Sequence, residues 1–400
     1  MNNFWTFADI TTLHIELTNV CNAACPNCVR FYNKSPLIRP DLEIGQIYLN
    51  QFKNYFPPEI LRKCKKILFC GVSGDAGAAR DTLEIIQYIE ESTKDVSNTG
   101  VCLITNGGMR DPEWWGKIGK IFSQKHGWSV TFSIDGLEDT NHIYRRKVKW
   151  DKLIPNVKAY IDAGGYAIWD FLVFKHNEHQ IAEAESFAKA LGFKQFRLKK
   201  ALGLDDGEKV LIMNAMDKNG KLQYKIEPPD NLYNRNNSST LYPPKDYVPE
   251  FDPEHYRKIK KSANDDSFKN LVRNVYKKIE VTDNSSFDNT EICCKSDIGF
   301  NQREIFVDQR GIVMPCCYIG TLLNGVYEDI MSLQLHNAMD RYGWDNFDLN
   351  KKTLQCILEE GHLNRLWAES WNKQSIKEGK MAFCAFTCPK NKKSNIDKIW

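Results

Sequence analysis

A chain of 400 residues with 54 Lys and Arg against 51 Asp and Glu carries a net charge of +3, which gives no bulk electrostatic case for nucleic-acid binding. Apolar residues at 42% and aromatics at 12% suffice for a core, and the length allows about two or three ordinary domains. No apolar run reaches bilayer length, Met1 to Ile10 carry no basic or apolar leader, and 13 cysteines are an odd count. These features predict a cytoplasmic protein, with no membrane partner, whose clustered thiols are reduced and favour metal over disulfides. In chain order, strand-like runs fall at 13–20, 66–71, 101–106, 129–135, 168–174 and 195–200. Helical patterns fill the gaps at 44–55, 80–93, 112–125, 150–163 and 178–191. For the last of these, Asn177 and Gln180 have the spacing of a capping box and Gly192 marks the end. This alternation predicts α/β architecture: parallel βα units forming an open, partial (β/α)6 barrel of the TIM type over residues 1–202.

Residues 203–290 change character, with Pro228-Pro229, Pro243-Pro244 and a polar run from Asn234 to Ser239. They read as a linker with a surface insertion, either a lid or a partly disordered connector, with one helix near 255–280. From 291 to 400 the cysteines return as Cys293-Cys294, Cys316-Cys317, Cys384 and Cys388. Between the first pairs, 304–315 reads strand, tight turn at Gly311, strand. A hairpin of that kind brings Cys294 near Cys316, and Cys384 with Cys388 would complete a four-thiolate site. Cys64, Cys70 and Cys102 lie on or beside apolar strands and read as small buried hydrophobes. Cys356 reads as a core residue of a helix.

The chemistry concentrates on Cys21-Asn22-Ala23-Ala24-Cys25-Pro26-Asn27-Cys28, a loop directly after the first strand. Three thiolates that close can hold three corners of a cubane iron–sulfur cluster and leave the fourth iron open for chemistry. A zinc knuckle or three unrelated buried cysteines is the plainer alternative, but no second Cys/His pair follows at short spacing. Polar residues also gather at the carboxyl ends of the other strands: Gly71 to Asp75, Thr105-Asn106-Gly107, Ser133 with Asp135, Lys175-His176-Asn177 and Lys199-Lys200. That end builds the active site in βα barrels.

The C-x3-C-x2-C loop after a strand resembles the signature of the radical S-adenosylmethionine (SAM) enzymes. The resemblance implies that Cys21, Cys25 and Cys28 hold a catalytic [4Fe-4S] cluster whose open iron chelates SAM. It also implies reductive cleavage of SAM to a 5′-deoxyadenosyl radical, hydrogen abstraction from a substrate, and an electron donor such as flavodoxin or ferredoxin. Gly71 to Asp75 resembles the family's glycine-rich element that meets the SAM amino group, with Gly71 and Gly74 as backbone contacts and Asp75 as its carboxylate; Ala76 stands where the family often has Pro. Ser133 and Asp135 resemble positions near the SAM ribose and carboxylate, although Asp135 would also serve as a helix cap. Asn106 would do similar work or close a turn. The segment 171–178 resembles the adenine-packing fifth strand, where His176 is structural or lies behind the ligand. Arg145 and Arg146 would reach the SAM carboxylate or face water.

The C-terminal cysteines resemble the twitch form of the SPASM domain, since Gly311 and Cys316 have its G-x4-C spacing. This implies a second, auxiliary [4Fe-4S] cluster on Cys294, Cys316, Cys384 and Cys388, with Cys293 and Cys317 as alternatives and zinc as the sober occupant. Enzymes with this extension often act on peptides, so a peptide or protein side chain is the expected substrate. A small polar metabolite, such as an aminoglycoside-like alcohol or a nucleotide, is the runner-up. A zinc-dependent nucleic-acid-binding protein is the alternative of another class; the near-neutral balance argues against it.

Overall fold

The computed structural model describes residues 6–40, 42–201, 212–231, 288–292, 294, 303–323 and 330–388. Six parallel strands follow one another across the sheet: β1 (Thr12–Ile15), β2 (Lys66–Phe69), β3 (Gly100–Thr105), β4 (Ser129–Ser133), β5 (Ala167–Val173) and β6 (Gln195–Lys200). Their connections hold α1 (Leu49–Tyr55), α2 (Pro58–Lys63), α3 (Thr82–Ser92), α4 (Pro112–Ser123), α5 (Asn141–Tyr144), α6 (Trp150–Asp162) and α7 (Ile181–Leu191). The expected partial barrel is therefore present. Its helices cover one face of the sheet, where Ile67, Phe69, Leu103, Val130, Phe132 and Trp169 are buried. Trp115, Phe122 and Tyr160 interlock edge-on between α4 and α6. Gly119 makes that approach possible, since a Cβ there would sit 2.4 Å from the Tyr160 carbonyl oxygen.

The boundaries shift where non-local pairing wins over periodicity. Residues 16–20 leave the parallel ladder after Ile15. Ile47 N donates to Leu17 O at 2.8 Å, Gly45 N to Asn19 Oδ1 at 2.9 Å, and the Thr18 hydroxyl to Gly45 O at 2.8 Å. That extended stretch delays α1 until Leu49. The capping box expected at Asn177 does not form. Asn177 Oδ1 accepts from Phe174 N, and its Nδ2 donates to Asp135 O and Leu172 O. Gln180 turns instead to Asp139, the Leu137 N–H and the Thr140 hydroxyl. The chain passes through a 3-10 turn before α7, and Gly192 ends that helix in the left-handed region at φ +96°.

Within the expected insertion, β7 (Met213–Met216) and β8 (Leu222–Ile226) form an antiparallel hairpin. It is anchored to the barrel by Tyr224 OH on Ile143 O and by Arg146 on Met216 O. The helix expected near 255–280 lies outside the described residues. The predicted second hairpin is present as β9 (Glu304–Val307) and β10 (Val313–Met314), turning at Gly311 with φ +90°. β9 also pairs in parallel with β1, so the sheet runs β10-β9-β1-β2-β3-β4-β5-β6. The chain then continues through α8 (Cys317–Leu323), α9 (Ile330–Tyr342), α10 (Leu354–Glu359), α11 (His362–Trp371) and α12 (Ala382–Thr387). Cys356 is not core: α10 buries Leu354, Ile357 and Leu358 and leaves Cys356 exposed. No helix among the described residues is long and apolar enough to cross a membrane.

Candidate functional site

The Cys21 loop opens from β1 into a cleft at the carboxyl ends of the strands. The cleft has a volume of about 210 Å3, and Cys21, Cys25 and Cys28 all line it. The loop is braced from several sides. Arg30 Nη1 donates to Cys21 O at 3.1 Å, Arg146 Nε to Ala24 O at 2.7 Å, and Ala24 N to Arg146 O at 2.8 Å. Arg146 is thus a brace rather than a solvent-facing charge. Donors also point at the sulfurs: Ala23 N and Asn106 Nδ2 each lie 3.4 Å from Cys21 Sγ, and Arg145 Nη1 lies 3.9 Å from Cys25 Sγ. Burial pushes the Cys21 and Cys25 thiols up and lifts Cys28 to about 11, so each keeps its proton at neutral pH until a cation displaces it.

Of the other expected cofactor contacts, Gly71, Gly74, Asp75, Asn106 and Ser133 line the same cleft. The glycines are needed there because backbone meets backbone. A Cβ on Gly71 would lie 1.8 Å from Gly74 O, and one on Gly74 would lie 1.8 Å from Thr18 O. Asp75 is 4% exposed and its carboxylate is filled from within the chain. It accepts from Gly77 N, the Thr105 hydroxyl, Asn106 N and Asn106 Nδ2. Asn106 Nδ2 also donates to Asn22 Oδ1 at 2.9 Å, so this node ties β2 and β3 to the cysteine loop.

Glu16 is a participant that periodicity could not reveal. It directly follows β1 on the way into the loop, and its Oε1 accepts from Ser73 N at 2.6 Å, the Ser73 hydroxyl at 2.9 Å and Gly74 N at 2.9 Å. Burial lifts its carboxyl to about 7. A buried acid immediately before the cysteines was the available signal.

Asp135 does not cap a helix and does not line the cleft. Its Oδ2 accepts from Arg145 Nε at 2.5 Å and its Oδ1 from Leu172 N at 2.8 Å. Burial opposes the Arg145 charge, but the carboxylate of Asp135 outweighs it, so the guanidinium stays protonated beside the thiols. His176 also sits behind the wall. Its ring stacks on Phe174 at 5.1 Å, and Phe174 packs on Tyr144, which lines the cleft. Burial lowers His176 to about 4, so it is neutral at physiological pH.

Below the cleft, the concave face of the sheet continues into a second cavity of about 440 Å3, with Ile104 lining both. Its wall mixes the apolar Leu68, Ile104 and Ile168 with Lys66, Ser129, Thr131, Asp170 and Arg197.

The C-terminal cysteines converge as expected. Cys294, Cys316, Cys384 and Cys388 line one small pocket of about 10 Å3 with Trp371 and Phe383. Cys317 does not line it, and Cys293 lies outside the described residues. Burial lifts Cys316 to about 12, with Cys388 beside it, and Cys384 rises well above the ordinary thiol value. A tetrahedral zinc with bonds of about 2.3 Å would draw its sulfurs to roughly 4 Å from one another. Among the described residues, the only trio of His, Cys, Asp or Glu ligand atoms within 4.8 Å of each other is His14, Glu304 and Cys317. Neither cysteine set has three sulfurs within 4.8 Å of one another.

No protein-family model matches the chain, and no curated protein does. Solved structures are similar to it at low identity. Native anSMEcpe with bound AdoMet is 16% identical, the match covering 95% of this chain and 89% of that one at a TM-score of 0.48. SuiB of Streptococcus suis bound to S-adenosylmethionine is 12% identical, covering 78% and 61% at 0.44. BtrN in complex with AdoMet and 2-DOIA is 11% identical, covering 94% and 88% at 0.32. All three hold AdoMet.

Proposed function

We propose that this chain is a radical SAM enzyme that abstracts hydrogen from a peptide or protein side chain. The observation that carries the reading is the three-thiol loop after β1, facing a cleft shared with Gly71, Gly74, Asn106 and Ser133. Bound there, a [4Fe-4S] cluster and SAM supply one-electron reductive chemistry ending in hydrogen abstraction. Cys21, Cys25 and Cys28 hold the cluster. Ala23 N–H and Asn106 Nδ2 steady the Cys21 sulfur, and Arg145 offsets negative charge beside Cys25. Glu16 and Asp75 hold the cleft's loops in place. Asp135 acts through Arg145, and His176 acts through Phe174 and Tyr144. Cys294, Cys316, Cys384 and Cys388 would hold a second [4Fe-4S] cluster, which would supply an electron-accepting group, and a flavodoxin or ferredoxin would be the electron donor. The charged side chains Lys66, Asp170 and Arg197 in the cavity on the concave face support a second substrate reading, a small polar metabolite.

The test is SAM cleavage by dithionite-reduced protein. Cys21→Ala, Cys25→Ala and Cys28→Ala should each abolish 5′-deoxyadenosine formation, and undiminished formation in any of them overturns the assignment. Two cubanes require about eight irons per chain, of which the triple variant should keep about half. A triple variant holding zinc in place of iron would return the C-terminal set to a zinc site.

A further inference from the structure

A second constellation of ligating side chains lies outside both cysteine sets. β1, β9 and α8 each contribute one residue to it: His14, Glu304 and Cys317. Their ligand atoms lie within 4.8 Å of one another, and His14 and Cys317 are buried. The parallel ladder pairs Thr12 with Glu304 and His14 with Phe306. Glu304 therefore stands two residues back on the same face of the sheet as His14, within side-chain reach. His14 Nδ1 is 3.1 Å from Glu304 Oε1, and Nε2 is 3.4 Å from Cys70 O. Phe306 meets the imidazole edge-on at 5.2 Å and 86°, which limits rotation of the ring. Cys317 arrives from the other side, because α8 packs back onto β9 and β10. The Cys316-Cys317 doublet is thereby divided: Cys316 lines the four-thiol pocket, whereas Cys317 joins His14 and Glu304.

We propose that His14, Glu304 and Cys317 bind a single divalent cation of the zinc class. One imidazole nitrogen, one carboxylate oxygen and one thiolate sulfur are the donors that zinc, cobalt or ferrous iron accept. Calcium and magnesium seek oxygen alone. Bonds of about 2.0–2.3 Å at a tetrahedral ion separate its ligand atoms by roughly 3.3–3.7 Å, which sits inside the observed cluster. Three protein ligands leave one coordination position for water, the Cys70 carbonyl or a bound molecule. An ion here would tie the first strand of the barrel to the C-terminal segment, next to the wall of the cleft to which Cys70 belongs. This site does not depend on the radical SAM reading.

Cobalt(II) titration of the anaerobically reconstituted full chain tests it, with both cysteine sets already loaded with iron and sulfide. The expected result is one cobalt per chain, with the absorption bands of a tetrahedral ion and a sulfur-to-cobalt charge-transfer band. Cys317→Ser should lose the charge-transfer band. His14→Gln and Glu304→Gln should each weaken the dissociation constant by more than about 100-fold, since loss of a ligand exceeds the 10–100-fold effect of losing a supporting contact. The Cys21, Cys25 and Cys28 triple Ala variant should retain the cobalt site, so failure of the SAM reading leaves this one standing. No cobalt uptake by the native chain overturns the proposal. So does a titration unchanged in both His14→Gln and Glu304→Gln, which would leave His14 and Glu304 as a hydrogen-bonded pair. These two near-isosteric variants also carry the test if Cys317→Ser does not fold.

Discussion

Replacing Asp75 by alanine asks whether the loop after β2 serves the ligand or the fold. The Asp75 carboxylate accepts from Gly77 N at 2.9 Å, from the Thr105 hydroxyl at 2.9 and 3.1 Å, and from Asn106 N and Nδ2 at 2.8 Å each. Truncation strands the Gly77 N–H, the Thr105 hydroxyl and the Asn106 N–H in the interior, while Asn106 Nδ2 keeps Asn22. At roughly 1–3 kcal/mol for each stranded donor, the ceiling is about 3–9 kcal/mol. Hydroxyl rotation and water entry lower it, and losses within one network do not add. We expect a net loss of about 3–5 kcal/mol, the scale seen when one member of a buried charged network is removed. Asp75→Asn keeps the shape and one acceptor, and should cost about 2–3 kcal/mol. Anaerobic urea unfolding, followed through the tryptophans at constant m-value, measures both. Because Asn106 also touches Cys21, iron should leave the Asp75→Ala protein faster under a chelator. A loss below about 1 kcal/mol, with SAM affinity alone reduced, would place the carboxylate on the ligand and refute the hydrogen-bond reasoning.

Glu16→Gln should remove a pH dependence. Burial lifts the Glu16 carboxyl from 4.5 to about 7, so the native state holds a proton that the unfolded chain releases across that interval. This contribution is full below pH 4.5 and is lost as pH rises through 7. Relative to Glu16→Gln, wild-type stability should fall by about 2–3 kcal/mol between roughly pH 5 and 8; parallel profiles would contradict the burial argument. Cys384→Ala should halve the iron per chain and spare SAM cleavage, whereas the exposed Cys356→Ala should leave iron and stability unchanged within about 0.5 kcal/mol. Equal iron in both variants would remove Cys384 from the ligand set.

The sequence by itself determined what repeats locally. Alternating apolar runs announced six strands and the helices between them, because burial on a strand or helix leaves a period that neighbouring residues share. The Cys21 loop and Gly311 in its turn were legible for the same reason: spacing along the chain limits what a short loop can bring together, whereas the set of Cys294, Cys316, Cys384 and Cys388 was joined across the chain by the resemblance to the twitch domain. Tertiary structure decided which buried groups meet. Nothing near Leu13 announces that β9, some 290 residues later, will pair with it, so the meeting of His14, Glu304 and Cys317 was invisible in the sequence. Asn177 has the spacing of a helix cap, yet the ends of β4 and β5 offered it stronger partners. Gly71 and Gly74 read as ligand contacts, and the fold also uses them for the close backbone approach of Gly71 to Gly74 and of Gly74 to Thr18. Asp75 carries a charge that a ligand could use, and folding had already surrounded it with donors from the next strand. A charge or polar atom removed from water takes the nearest partner the fold supplies, and that partner is set by packing across the sheet rather than by position in the chain.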